Sequence, residues 1–324
     1  MPISFDGWVT ETREAFEESP KWAVANALRC VYLGAWLTAT SRYPVGTNVY
    51  EREWDALIVL DACRVDALRE VAPEYDFLED VGSIWSVGSE SYEWLVKTFT
   101  TDYIDEIRRT AHVTSNGFSN GAFIQGRYAP SISVPFGWPK DNVVSEDDFA
   151  YMEHAWQHGR DESLRSVPPR YMTDRAIEVG RTVDADRYVF HYVQPHTPYL
   201  ADAMAEGREV TDVELDPWPY LRRGEADPKV IWEAYVDNLR LVLDDLELLL
   251  ENIDAERVAI TADHGEMMGE WGIHGHPAGL PAPPLKKVPW AVTTATDTGS
   301  YEPSSEIEGP EADVEEHLAD LGYL

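Results

Sequence analysis

Arg257-Val258-Ala259-Ile260-Thr261-Ala262-Asp263-His264-Gly265-Glu266 is a short apolar run that drives straight into an adjacent Asp and His and then a Gly. Such a run reads as a buried strand that delivers metal ligands at its carboxyl end, with the glycine letting the backbone turn sharply. Ten residues beyond His264 comes His274-Gly275-His276-Pro277. A carboxylate oxygen beside an imidazole nitrogen suits Zn²⁺ or Mn²⁺ better than Ca²⁺, because imidazole is a borderline ligand and Ca²⁺ takes oxygen almost exclusively. A divalent metal is therefore expected, Zn²⁺ or Mn²⁺ first and Mg²⁺ or Ca²⁺ as alternatives.

Working outward, Asp55-Ala56-Leu57-Ile58-Val59-Leu60-Asp61 is a second apolar run ending in a carboxylate, the pattern of a strand buried on both faces of a parallel sheet. Helical patterning resumes at Arg64 to Val71. A third run, Tyr188 to Val193, leads into Gln194-Pro195-His196-Thr197-Pro198-Tyr199. Between Lys229 and Asn252, Trp232, Tyr235, Leu239, Val242, Leu246 and Leu249 recur at helical spacing just ahead of the Arg257 strand. Strands alternating with helices predict an α/β fold: three layers, α/β/α, around a central mainly parallel sheet whose functional groups collect at strand carboxyl ends. Three such ends offer ligands: Asp61, His196 and the Asp263-His264 pair. Individually, Asp61 reads equally well as a helix N-cap, and His196 as a loop residue bonded to a carbonyl. Together they converge on one crevice, and five of the nine histidines lie between 191 and 276.

These elements, with the hydroxyls of Gly88-Ser89-Glu90-Ser91-Tyr92-Glu93-Trp94, resemble the alkaline phosphatase superfamily, and most closely its sulfatase-like branch. The resemblance covers roughly residues 52–292; Asp263-His264-Gly265-Glu266 and Pro195-His196-Thr197-Pro198-Tyr199 are its most specific parts. The helix around Asn238 and Asp244 looks like the one preceding the second metal-binding strand of that branch. The resemblance implies an alkaline-phosphatase-like fold and a metal held by Asp61, Asp263 and His264. A serine hydroxyl would be both ligand and nucleophile, Ser91 in preference to Ser89, because a divalent cation lowers the alcohol pKa. His196 and His276 would contact the substrate, assist the leaving group or hold metal, with His274 competing for the role of His276. Arg64 would bind substrate or brace the first ligand. No Cys-x-Pro-Ser-Arg stretch is present, so the formylglycine route of true sulfatases is not expected, and Cys63 reads as a small buried residue. The expected function is a metal-dependent hydrolase or phosphotransferase acting on a phosphate or sulfate ester of a small molecule, glycan or lipid-linked head group. The alternatives are a non-catalytic binder of anionic glycans or lipid head groups and a phosphoglycerate-mutase-like isomerase.

The 324 residues are 44% hydrophobic, enough for a large core, and carry a formal net charge of -33 from 59 acidic and 26 basic residues, of which only six are Lys. At ~1 M salt the Debye length shrinks to about 3 Å and most of the resulting self-repulsion is screened. The composition reads as adaptation to a salt-saturated cytoplasm, of a haloarchaeal type, and excludes nucleic acid as a partner. Two cysteines, Cys30 and Cys63, make no disulfide framework, and the N-terminus shows no secretory signal. Residues 8–40 look helical. Trp22 to Ala39 within them reads as a packed amphipathic helix, with peripheral membrane contact through residues 22–39 as the minority reading, since Arg29 makes a spanning helix costly. The expected organisation is a helical arm over 1–50, a catalytic domain over 51–295 with an insertion around 125–175 covering the site, and a loosely held acidic tail over 296–324 with a short helix at Glu311 to Leu321. Oligomeric state leaves no trace in the sequence.

Overall fold

The computed structural model describes residues 5–126, 134–136, 142–304 and 312–321. Its strands are β1 (Ala56–Leu60), β2 (Val81–Trp85), β3 (Thr110–Thr114), β4 (Tyr151–His154), β5 (Arg187–Tyr192), β6 (Ala255–Thr261), β7 (Met267–Met268), β8 (His274–Gly275) and β9 (Lys287–Ala295). Among the described residues seven of them form one sheet in the order β2-β9-β6-β1-β5-β3-β4. β6, β1, β5, β3 and β4 pair in parallel. β9 runs antiparallel to both β6 and β2, so β2 points the same way as β1. The carboxyl ends of β1, β2, β3, β5 and β6 therefore open on one edge of the sheet.

β1 is central and wholly buried, and its side chains alternate between the two layers of the core. Ala56, Ile58 and Leu60 pack with the helices Pro169–Thr182 and Pro228–Leu250. Leu57 and Val59 pack on the other side with Trp54, Trp94, Leu95 and Phe99. Helices α1 (Phe5–Glu18), α2 (Pro20–Thr40), α3 (Val65–Val71) and α4 (Ser91–Thr98) precede most of the sheet. α3 joins the first layer through Ala67, Leu68 and Val71, and α4 lies in the second. This is the expected three-layer α/β/α architecture.

The long helix Pro228–Leu250 starts with Asp227 capping the Lys229 N–H at 2.9 Å and Pro228 in its first turn, where a missing N–H costs nothing. Leu239, Val242, Leu243, Leu246 and Leu249 are fully buried along it, each stabilising the fold by about 1.5–3 kcal/mol. That anchorage matters for function, because Tyr235 and Asn238 on the same buried face reach the loops after β1 and β5.

Some expectations change. The single helix over 8–40 is broken at Ser19, whose extended backbone precedes Pro20, a residue that cannot continue the hydrogen-bond ladder. Asp61 caps nothing: the N-cap of α3 is Arg64. The supposed insertion around 125–175 supplies β4, the edge strand beside β3, and the start of the helix Pro169–Thr182; residues 127–133 and 137–141 lie outside the described residues. The tail is not loose over 296–304: Thr296 and Thr298 donate to the Leu250 and Glu251 carbonyls, and Arg181 pairs with Asp297 at 2.7 Å. Its terminal helix runs Val314–Asp320 and is docked by buried His317 and Asp320.

His317 stacks on Trp156 with centroids 5.6 Å apart, and its Nε2–H donates to the Ser115 carbonyl at 3.1 Å. Burial pushes this ring from 6.5 down to about 4, although the carbonyl favours the protonated form. The unfolded chain therefore takes the proton first as the pH falls. Stability is lost between pH 6.5 and 4, in total on the order of 3 kcal/mol. His317→Leu should unfold at a lower temperature at pH 7 yet lose less than the parent on acidification; equal pH slopes in thermal unfolding would remove His317 as the sensor.

Candidate metal centre

Asp61 follows β1 directly, and the next residue, Ala62, sits in the left-handed region at φ 60°. That conformation costs a residue with a Cβ roughly 1–2 kcal/mol, and contacts on both sides of the peptide hold it. The Ala62 N–H donates to Asp263 Oδ1 at 3.1 Å, and the Tyr235 hydroxyl donates to the Ala62 carbonyl at 2.8 Å. The turn after β6 is held as tightly. Gly265 N–H donates to the Leu285 carbonyl at 2.7 Å, and a Cβ on Gly265 would collide with the Pro284 carbonyl. The glycine is needed for this close approach rather than for a positive φ.

Asp61, Ser91, Asp263 and His264 meet with no solvent exposure. Asp61 Oδ2 accepts from Ser91 Oγ at 3.1 Å and from Asn116 Nδ2 at 2.7 Å. His264 Nδ1–H donates to the Gly265 carbonyl at 2.7 Å, which aims Nε2 inward. There Nε2 lies 3.2 Å from Ser91 Oγ, 3.4 Å from Asp61 Oδ1 and 3.5 Å from Asp263 Oδ2. Asp263 Oδ1 is occupied by the Ala62 and His264 N–H groups. Asp61 Oδ1 and Asp263 Oδ2 have no hydrogen-bond partner among the described residues. From the floor, His191 Nε2 faces both carboxylates at 3.9 and 3.8 Å.

Two buried carboxylates this close repel each other and need positive charge between them. Burial opposes the charged form of His264, but Asp263 and Asp61 outweigh it and push the ring up to about 10. Burial likewise works against an ionised Asp61, yet the His264 hydrogen bond and the His196 charge hold it below the usual carboxylate range. Without a cation, a proton on His264 supplies the positive charge. Oxygen atoms of Asp61 and Asp263 and a nitrogen of His264 all lie within 4.8 Å of one another, and a divalent ion placed among them satisfies both orphaned oxygens. The residues fit a metal.

A second group adjoins the first. Ligand atoms of His196, Glu266 and His276 also lie within 4.8 Å of one another. The His276 ring is 4.7 Å from that of His264 and 4.8 Å from that of His196, and its Nδ1 is 3.2 Å from Glu266 Oε2. Burial pushes Glu266 up to about 7 and, with the His264 charge adding to it, His276 down to about 3. Asn238 positions the His196 loop: its Nδ2 donates to the carbonyls of Pro195, His196 and Pro198 at 3.2, 3.0 and 3.2 Å.

The structure separates residues that the sequence left in competition. Ser91 Oγ points into the carboxylates. Ser89 Oγ turns away and donates to Glu93 Oε2 at 2.7 Å. His276 joins the second group rather than the Asp61 group, while His274, expected at the substrate, lies beside Trp218 and Gly269. Arg64, expected at the substrate, is engaged on all three guanidinium nitrogens by Asp66, Glu270 and the Glu266 carbonyl. It braces the loop after β6 instead. The sequence reading missed Asn116, Glu266 and His191. Asn116 follows β3 by two residues and was findable by the same strand-end logic; His191 sits inside β5 and carries no local signal.

No family model matches the sequence, and no curated protein matches it. Among solved structures, the chain is similar to the soluble domain of lipooligosaccharide phosphoethanolamine transferase A from Neisseria meningitidis, at 14% identity and a TM-score of 0.50, covering 75% of this chain and 76% of that one. It is also similar to the C-terminal periplasmic domain of phosphoethanolamine transferase EptC from Campylobacter jejuni (16% identity, 73% and 77% covered, TM-score 0.44). A proposed sulfatase from Bacteroides thetaiotaomicron gives 11% identity, 83% and 70% covered, and a TM-score of 0.38. At such identities the likeness is one of fold, and the fold is alkaline-phosphatase-like.

Asn116 bonds a buried carboxylate without facing its free oxygen, so its loss should loosen the site without emptying it. Asn116→Ala is expected to weaken Zn²⁺ or Mn²⁺ binding by about 10–100-fold, read by competition titration. Unchanged affinity would show that Asn116 does not orient Asp61.

Proposed function

We propose that the chain is a metal-dependent phosphoric-ester hydrolase or phosphotransferase whose nucleophile is Ser91. The observation that carries this reading is the position of Ser91 Oγ, 3.1 Å from Asp61 Oδ2 and 3.2 Å from His264 Nε2, at the first turn of α4. A hydroxyl so placed would give up its proton to water once a divalent ion held by Asp61, Asp263 and His264 lowered its pKa, and the N-terminus of α4 favours negative charge on the oxygen that remains. The same ion would stabilise charge on the ester. Ser91 Oγ forms a bond to phosphorus as the ester oxygen leaves and takes up a proton, giving a phosphoseryl enzyme. Water, or the hydroxyl of an acceptor, then attacks phosphorus and returns Ser91 to its free form. His276 adjoins both His264 and His196, and the two unprotonated rings of His196 and His276 can hold a second cation that binds the non-bridging oxygens.

The group His196, Glu266 and His276 favours a second cation in the same crevice. Metal stoichiometry decides between one ion and two: a second equivalent lost in His276→Ala supports the two-ion form. Phosphate is preferred to sulfate because the chain has a serine where formylglycine-dependent enzymes need their modified residue.

The test is turnover of nitrophenyl phosphate, bis-nitrophenyl phosphate and nitrophenyl sulfate in molar KCl, with Zn²⁺ or Mn²⁺ and after chelation. Ser91→Ala and Asp263→Ala should each abolish release while thermal unfolding stays cooperative, and chelation should do the same reversibly. Ser89→Ala should keep most of the rate. Full activity in Ser91→Ala removes the assignment, and stoichiometric metal binding without turnover of any ester favours a binding protein.

A further inference from the structure

α2 is apolar on two opposite faces, and among the described residues only one of them is covered. Its inner face buries Ala23, Cys30, Leu33 and Leu37. Its outer face presents Leu28 at 66% exposure, with Val24 and Val31, and Trp22 is 58% exposed at the start of the helix. With 1.5 Å of rise per residue the exposed stretch from Trp22 to Val31 is about 14 Å long, and Tyr43, just past the helix, is 80% exposed. An amphipathic helix on a water-facing surface carries charge there; this one carries only Lys21 and Arg29, with Arg42 just beyond its end.

The charge pattern around it is the second observation. The chain has 59 acidic residues, yet none falls between 19 and 50. Their exclusion from the one segment with an unpartnered apolar face, which carries cations and aromatic residues, fits an interface whose other side is hydrocarbon bordered by phosphate. Carboxylates are costly there, Trp and Tyr rings sit at head-group level, and Lys and Arg extend toward phosphates.

We infer that the outer face of α2 docks on the surface of a phospholipid bilayer. The helix lies in the plane of the interface: no helix among the described residues is long and apolar enough to cross a membrane. Its inner face packs against α4, the helix that begins with Ser91. Trp36 Nε1 donates to Glu93 Oε1 at 3.2 Å, the Tyr32 hydroxyl donates to the Gly279 carbonyl at 2.9 Å, and Gly279 N–H reaches Glu93 Oε2 at 3.4 Å. Docking through α2 thus sets the segment that carries Ser91 beside the head-group layer.

The experiment is co-sedimentation of the full chain with phosphatidylcholine vesicles in molar KCl, where repulsion between bound copies is screened. The parent should sediment with the vesicles. Trp22→Glu combined with Leu28→Glu should lower the partition coefficient by at least about tenfold, with an unchanged unfolding temperature, since both side chains are exposed. Lys21→Gln should lower it by about fivefold or less. Absence of binding to vesicles overturns the inference, as does equal binding by the double variant. So does a dimer in solution that the same double substitution dissociates, because a second copy would then cover the face. Binding is read without turnover, so failure here leaves the proposed reaction standing.

Discussion

Two carboxylates, Asp61 and Asp263, are held in contact range of one imidazole with no solvent around them, and the rest of the molecule answers to that arrangement. Burying one ionised carboxylate is costly, and burying two side by side is more so unless positive charge joins them. Three strands deliver the groups, and each strand end is fixed by a different device: a left-handed alanine after β1, a glycine under a carbonyl after β6, and Asn238 beneath three carbonyls after β5. Each device prevents the groups from relaxing apart. The site is therefore preorganised for a cation.

A second buried ionic group does for α4 what the long helix does for the loops. Glu93 is paired with Lys97, close to Lys286, and accepts from both the N–H and the hydroxyl of Ser89. Burial raises the Glu93 carboxyl, but the two lysines outweigh this and hold it well below the usual range. Lys97 in turn donates to Thr40 Oγ1 at 2.7 Å, and Lys286 to the Val87 carbonyl at 3.1 Å. The segment before Ser91 is thus tied to α2 on one side and to the strand pair β2–β9 on the other. Ser89 belongs to this scaffold, which leaves Ser91 to the site.

The sequence made the fold and the metal ligands legible to the extent that each sits where a periodic pattern changes. β1, β5, β6 and the long helix were read within one to three residues of their observed ends because fully buried strands are unbroken apolar runs and the helix has an uninterrupted stripe. β2, β3, β4 and β9 were not read: β2 is buried only in part, β3 is fully buried but alternates Thr110, His112 and Thr114 with two apolar residues, β4 is a short edge strand, and β9 contains Pro289 and opens with lysine. The preference for Ser91 over Ser89 came from the resemblance; in the structure Ser89 is held by Glu93, four residues on, while Ser91 Oγ faces Asp61. Arg64, read as a substrate contact or a brace of the first ligand, also pairs with Glu270 and the Glu266 carbonyl two hundred residues away, partners that no local signal announces.

Charge plays opposite parts inside and outside this protein. The net -33 is carried mostly at the surface, where a Debye length of about 3 Å in molar salt quenches repulsion between neighbouring carboxylates. The Asp61–Asp263–His264 and Glu93–Lys97 groups are buried, where bulk salt screens charge far less than at the surface. Salt therefore governs how strongly the folded surface repels itself and leaves the internal electrostatics of the site almost untouched.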